Sequence, residues 1–323
     1  MIARKIDFIQ YFILFDKYKS ALSDLFIRRY KDVIIFGAFD DNDDSVGLLL
    51  VHPHNGSSRI LFINTLNDDF DIYKLLIDCA LKELKGKCET LEWRIVEEND
   101  KSEIEKKCVE DLKFVCYSTL NIFRHNNSDK EKALVIVEEN KNTINWFIKK
   151  GYEIKSFAEL SKEQLDYMSN NPDKQFESSL HIGDFISNES MGLCKDKSFA
   201  CIKDGKVIAF ASVSSVSKGQ YVYDSTCVAK DYKMSGVFVP VNIAVLNAVI
   251  NSDYNSIMFA VYDTNNEMLP LFKKWLMPFV TSSTKQFNYI RPIEIPDEKK
   301  WDAYRRTIEE VAFSSIDKEL KKR

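Results

Sequence analysis

Residues Val228–Pro240 read VAKDYKMSGVFVP. The stretch stands between two apolar runs of different period. YVYDSTCV (Tyr221–Val228) has the character of a half-buried strand, and VNIAVLNAVI (Val241–Ile250) is apolar at helical length. Between them lie Lys233, Met234, Ser235 and a lone glycine, Gly236. A glycine ahead of a helix lets another group approach the backbone closely. The first N–H groups of the helix have no partner inside it, and with the helix dipole they favour an anion. The stretch predicts a strand, an anion-binding turn and a helix.

Working outward, the same order occurs twice. In the first half VIIFGAF (Val33–Phe39) and VGLLLV (Val46–Val51) flank an Asp/Asn-rich turn, and RILFINTL (Arg59–Leu66) follows a His-Asn-Gly turn. A helix over Ile72–Leu84, a strand over Thr90–Val96, a helix over Ile104–Leu112 and a strand over Val115–Phe123 complete it. In the second half Ser198–Ile202 and Val207–Val213 flank Asp204-Gly205, a two-residue hairpin signal. Then come the strand Tyr221–Val228, the helix Val241–Ile250, the strand Ser256–Tyr262, a helical stretch Glu267–Leu276 and a strand over Thr281–Ile290. Matching pieces lie about 160–170 residues apart. The pattern is α/β (α+β): a mixed, mostly antiparallel twisted sheet flanked by helices, built twice.

The expected organisation is a first domain over 1–124, a linker with a helix over 125–151, a second domain over 152–290 and a helical tail over 291–323. In the linker, Asn142–Lys150 suits a helix ended by Gly151. ELSKEQLDYMSN and ESSLHIGDFISN read as the leading helices of the second domain, and Trp301, Tyr304, Ile308 and Val311 form an apolar stripe along the tail. The start, MIARKIDFIQYFILF, reads as a buried strand or helix and not as a signal peptide.

Of the 323 residues 45% are hydrophobic and 29% charged, with a net charge of -4, which disfavours general nucleic-acid binding. No apolar run reaches the roughly 18–20 residues that span a bilayer. Seven cysteines without a C-x-x-C pair fit reduced thiols of a cytoplasmic protein better than disulfides or zinc. His52 and His54 could pair on a metal, but the Asn55-Gly56 beside them makes a turn the better reading.

The turn resembles the acyl-CoA-binding motif of the GCN5-related N-acetyltransferases. Val228 matches the valine that ends the family's strand, Lys233 stands for its Arg or Gln, and Gly236 matches its first glycine. Lys230 replaces a common proline, and Phe238 stands where a small residue is usual. Downstream, Asn265 and Phe272 lie at the spacing of the family's Asn and aromatic residue. In many relatives that aromatic is a tyrosine that protonates the departing thiolate, and Phe272 lacks the hydroxyl. Asn140, Phe147, Gly151 and Tyr152 fit the same spacing but follow the last strand of the first half, so they read as a capped linker helix.

The resemblance implies an N-acetyltransferase that moves an acetyl group from acetyl-CoA, or another acyl-CoA, to an amine on a small molecule or peptide. Charge, hydropathy and the cysteine and histidine pattern point to no nucleic-acid, membrane or metal partner, and a monomer or homodimer is expected. It assigns cofactor contact to Thr226, Cys227, Val228, Lys233, Met234, Ser235, Gly236, Val237, Phe238, Asn265 and Phe272. Asp224, placed on the same strand face as Thr226, is the candidate base; Tyr223 and Tyr262 are spare acids. Cys227, with no basic partner in view, reads as a buried thiol. In the first half Asp68, Asp69 and Asp71 replace the glycine turn and would repel a diphosphate, so a cofactor site there is expected to be lost. A binding or scaffold protein with a decayed fold is the other reading, carried by Phe238, Phe272 and the glycine-free first half. A third, transfer of aminoacyl groups from tRNA, is opposed by the acidic net charge and the lack of a coiled-coil arm.

Overall fold

The computed structural model describes residues 1–7, 10–11, 32–54, 56–97, 102–171, 174–176, 192–295 and 297–308. The strands are β1 (Ile2–Ile6), β2 (Ile34–Phe39), β3 (Ser45–His54), β4 (Ser57–Thr65), β5 (Thr90–Val96), β6 (Val115–Asn126), β7 (Tyr152–Ser156), β8 (Phe199–Lys203), β9 (Lys206–Ser217), β10 (Gln220–Val228), β11 (Ser256–Tyr262) and β12 (Ser282–Pro292). The helices are α1 (Phe70–Leu84), α2 (Ser102–Asp111), α3 (Lys130–Glu139), α4 (Lys141–Lys149), α5 (Lys162–Asn170), α6 (Phe238–Ile250) and α7 (Met268–Trp275). A further helix runs over 298–308. The expected second leading helix, ESSLHIGDFISN, and Val311 of the tail stripe lie outside the described residues.

Close contacts divide the chain into two units. The first holds Met1–Asn121, Tyr262–Asn266 and Thr284–Arg323, and the second holds Ile122–Val261 and Glu267–Ser283. The division does not fall between the two sequence repeats. It moves the last strand of the second repeat into the first unit, and the segment expected as a linker into the second.

In the first unit the strand order is β1-β2-β3-β4-β5-β12-β6. β12, from the far end of the chain, is antiparallel to β5, with Gln286 opposite Val96 and Pro292 opposite Thr90. Tyr289 and Ile293 pack into this unit's core with Trp93, Ile95 and Phe114. The buried Arg291 guanidinium donates to the Leu112 carbonyl at 2.7 Å and lies over the Phe114 ring. α1 lies so close to the sheet that a Cβ on Gly47 would meet Ile72 Cγ2 at 2.8 Å, which is why this buried strand position is a glycine.

In the second unit the order is β6-β11-β10-β9-β8-β7. The expected Asp204-Gly205 hairpin is present, with Lys203 opposite Lys206. One core contains α6 and α3, with Ala133, Ile136, Val137 and Phe147 buried against Val241, Leu246 and the small β9 side chains Ala209 and Ala211. Residues 125–151 therefore supply core side chains and not a linker. Gly151, at φ +79°, closes α4 as expected. A second core contains Phe157, Met168, Phe176, Phe210 and Cys227.

His125, fully buried in the second unit, has Nδ1 2.6 Å from the Phe279 carbonyl and Nε2 3.0 Å from the Tyr254 hydroxyl. A carbonyl only accepts, so Nδ1 carries the proton and Nε2 accepts from the tyrosine. Burial pulls the His125 pKa below the ordinary 6.5, and the bond to Phe279 opposes this in part. The folded protein thus resists a proton that the unfolded chain accepts. Stability from this group is complete above about pH 6.5 and is lost as pH falls from there toward the lowered folded-state value. Urea titrations at pH 7.5 and pH 5 should show the loss, and His125→Asn, which does not titrate, should reduce it. Equal pH dependence in both proteins would remove His125 as its source.

Candidate functional site

The site is built where two parallel neighbours separate. β10 and β11 pair from Gln220↔Ser256 to Val222↔Met258, yet β10 continues to Val228 and β11 to Tyr262. The ladder between them ends at Val222↔Met258, so the strands splay at their C-terminal ends. The first unit has the same feature: β4 and β5 pair only from Ser57↔Thr90 to Ile60↔Trp93, although β4 runs on to Thr65.

At the end of β10 a short turn over Lys230–Tyr232 leads to Gly236, which adopts φ +79°. That left-handed value explains the lone glycine. The turn is open: a Cβ on Gly236 would meet only Phe147 Cζ, at 3.9 Å, and the neighbouring Met234 is 98% exposed. The N–H groups of Met234 and Gly236 take no hydrogen-bond partner among the described residues. No side chain caps α6, whose N-cap position is held by Val237.

The first unit makes the opposite choice at the matching corner. Asp69 is the N-cap of α1, and its side chain accepts from the N–H groups of Asp71, at 2.9 Å, and Ile72, at 3.4 Å. Its carboxylate occupies the place an incoming anion would take. The acidic run does more than repel a phosphate: it satisfies the donors that would bind one.

The remaining expected contacts sort as follows. Lys233 is ion-paired with Glu267 at 3.1 Å, a half-exposed contact that an anionic ligand can compete with. Ser235 uses its hydroxyl within the turn, donating to the Tyr232 carbonyl at 2.6 Å and accepting from Val237 N–H at 3.3 Å. Val237 and Phe238 are buried, so the Phe238 ring is drawn inward at the start of α6 and does not crowd the turn. Val228 packs on the core beneath α6, and Cys227 is buried in the other core, facing away from that helix.

Two expectations are corrected. Phe272 is no cofactor-facing ring: it is buried, stacked on Phe123 at 4.6 Å and edge-on to Phe259 at 5.5 Å. With no hydroxyl to satisfy, the ring goes where apolar area is best covered. Asp224 and Thr226 do not share a strand face. The β9 partner steps from Val213, opposite Tyr223, to Ser212, opposite Ser225, leaving Asp224 as the extra residue of a bulge. The bulge turns Tyr223 and Thr226 toward α6, while Asp224 accepts from the Ser214 hydroxyl on the opposite face.

Asn265 falls in the first unit, where its N–H donates to the Tyr262 carbonyl at 3.0 Å. Burial pushes the Tyr223 phenol far up, and its hydroxyl donates to the Asn242 carbonyl at 3.1 Å, so it is held as a neutral structural donor. Asn242 is a residue the sequence reading missed. The signal was present: a single amide inside an otherwise apolar helix is buried at a cost unless something bonds it.

The fold is similar to that of solved GCN5-related N-acetyltransferases, among them a tandem one. No protein-family model matches the sequence, and no curated protein matches it either. Among solved structures, a tandem GNAT protein from the clavulanic acid biosynthesis pathway, without AcCoA, is similar over 82% of this chain and 84% of its own, at 11% identity and a TM-score of 0.58. A GCN5-related N-acetyltransferase from Sphaerobacter thermophilus is similar over 82% of each chain, at 7% identity and a TM-score of 0.59. A glucosamine N-acetyltransferase region of a fungal multi-domain GH3 β-N-acetylglucosaminidase covers 89% of this chain with 38% of its own, at 10% identity and a TM-score of 0.65.

Among the described residues no helix is long and apolar enough to cross a membrane, and no group of His, Cys, Asp and Glu is arranged to hold a metal ion.

Proposed function

We propose that the second unit binds an acyl-CoA, acetyl-CoA first among them, and transfers the acyl group to an amine. The observation that carries this reading is the contrast between the two helix starts. α1 is capped by its own Asp69, whereas α6 is uncapped behind an open left-handed turn at the end of a splayed strand pair. A diphosphate fits that corner: the Met234 and Gly236 N–H groups would hold it, and Lys233, released from Glu267, would add a positive charge. The β10 edge beyond Val222 would offer its backbone to the amides of the pantetheine arm. Acetyl-CoA supplies the activated thioester. Asp224, which accepts from Ser214 in the bulge, remains the candidate base for the ammonium proton, reached from the face opposite Thr226.

A thermal-shift titration with acetyl-CoA tests the binding. Ligand at a hundred times its Kd should stabilise the protein by about 2.7 kcal/mol. No shift with acetyl-, propionyl- or longer acyl-CoA would remove the proposal. A second reading, binding without transfer, is favoured by Phe272, which carries no hydroxyl and is buried. Release of free CoA thiol in the presence of a panel of amines separates the two: a stabilised protein that releases none is a binder only.

A further inference from the structure

We infer that Asn242 is a positioning residue, holding the start of α6 in register with the end of β10. The inference rests on the reading of the second unit as an acyl-CoA site. Asn242 is 3% exposed in a helix whose other inward residues are apolar. Its Oδ1 accepts from Thr226 Oγ1 at 3.2 Å, and its Nδ2 donates to the Phe238 carbonyl at 2.8 Å. Its own main-chain carbonyl accepts from the Tyr223 hydroxyl at 3.1 Å. One residue thus joins the first residue of α6 to two positions on β10. Those two positions face α6 together only because the bulge at Asp224 breaks the alternation of the strand.

The apolar contacts around this hub do not fix register. Val241, Val245 and Leu246 share a core with Ala209, Ala211 and Val213 of β9, and such contacts are non-directional. The hydrogen bonds are directional, and a buried amide that loses one leaves a polar atom unsatisfied. A long ligand gripped at two places feels this. An acyl-CoA must meet the opened β10 edge and the Gly236 turn at once, and a small displacement of one against the other costs the benefit of joining the two halves. Asn242 has no need to touch the ligand: it sets the distance between the groups that do.

Calorimetric titration of the full chain tests this with two ligands, acetyl-CoA and its anionic half, 3′-phosphoadenosine 5′-diphosphate. Thr226→Ser keeps the hydroxyl and should bind acetyl-CoA more tightly than Thr226→Val does. Thr226→Val, nearly isosteric, should weaken acetyl-CoA about tenfold while leaving the nucleotide half within about twofold. Asn242→Ala should do the same, and the double variant should bind no more weakly than either single one, because both remove one linkage. If Asn242→Ala does not fold, Tyr223→Phe, which removes the separate bond to the Asn242 carbonyl, takes its place and should likewise weaken acetyl-CoA while sparing the nucleotide half. Thr226→Val binding acetyl-CoA normally, an equal loss for the nucleotide half, or additive losses in the cycle would each overturn the role of Asn242 and leave the acyl-CoA reading standing. An unaltered protein that binds neither ligand overturns both.

Discussion

A chain ending after Phe123 should show no cooperative urea transition, although it contains every strand and helix of the first sequence repeat. The first unit is completed by residues far downstream. β5 has β12 as its antiparallel partner, and without it the β5 edge stands open and the β5-facing side of β6 is bare. The core also loses Tyr289 and Ile293, and Leu112 loses the donor it takes from Arg291. Full burial of one large apolar side chain is worth about 1.5–3 kcal/mol, and a domain is stable by only about 5–15 kcal/mol. Losing these side chains together with a whole strand removes a large part of that margin. An exposed apolar edge in the fragment should also promote aggregation. Adding residues 282–295 through a flexible linker should restore a sigmoidal transition with near-ultraviolet dichroism. A fragment 1–123 that unfolds cooperatively by itself would show that β12 is dispensable.

Gly236→Glu should abolish the stabilisation by acetyl-CoA while leaving the protein folded. The protein offers no steric obstacle to the new side chain, since only Phe147 Cζ, at 3.9 Å, stands near its Cβ. The backbone cost is that of a left-handed residue, about 1–2 kcal/mol. The ligand cost is larger. A carboxylate about 4 Å from one phosphate charge is repelled by about 4 kcal/mol at an effective dielectric near 20, so affinity should fall at least roughly a hundredfold. Asp69→Ala is the control. It removes the cap of α1, costs about 1 kcal/mol of stability and should leave the acetyl-CoA shift unchanged. Retention of the full shift by Gly236→Glu would place the ligand elsewhere.

Much of the corner around Gly236 was legible because its requirements are local. Gly236 announces a left-handed turn, and β10 and α6 flank it as their periodicities predict. The strands Thr90–Val96 and Ser256–Tyr262 coincide with β5 and β11 residue for residue. The acidic run at the start of α1 was read as charge repulsion, and its structural effect is the capping of α1 by Asp69. Phe272 was misplaced for a reason of the same kind. Its spacing from Asn265 is a property of the chain, but the side its ring takes depends on Phe123 and Phe259, which come from other elements.

By itself the sequence determined most of the elements, their order, the doubled plan and the glycine turn, because propensity, periodicity and turn chemistry act over a few neighbouring residues. Only the tertiary structure decided that β12 completes the first unit, that a bulge sends Asp224 away from Thr226, and that Asn242 ties strand to helix. Strand neighbours, bulges and buried hydrogen bonds are settled by groups distant along the chain. Their energies arise only once those groups meet, so no local pattern of residues records them.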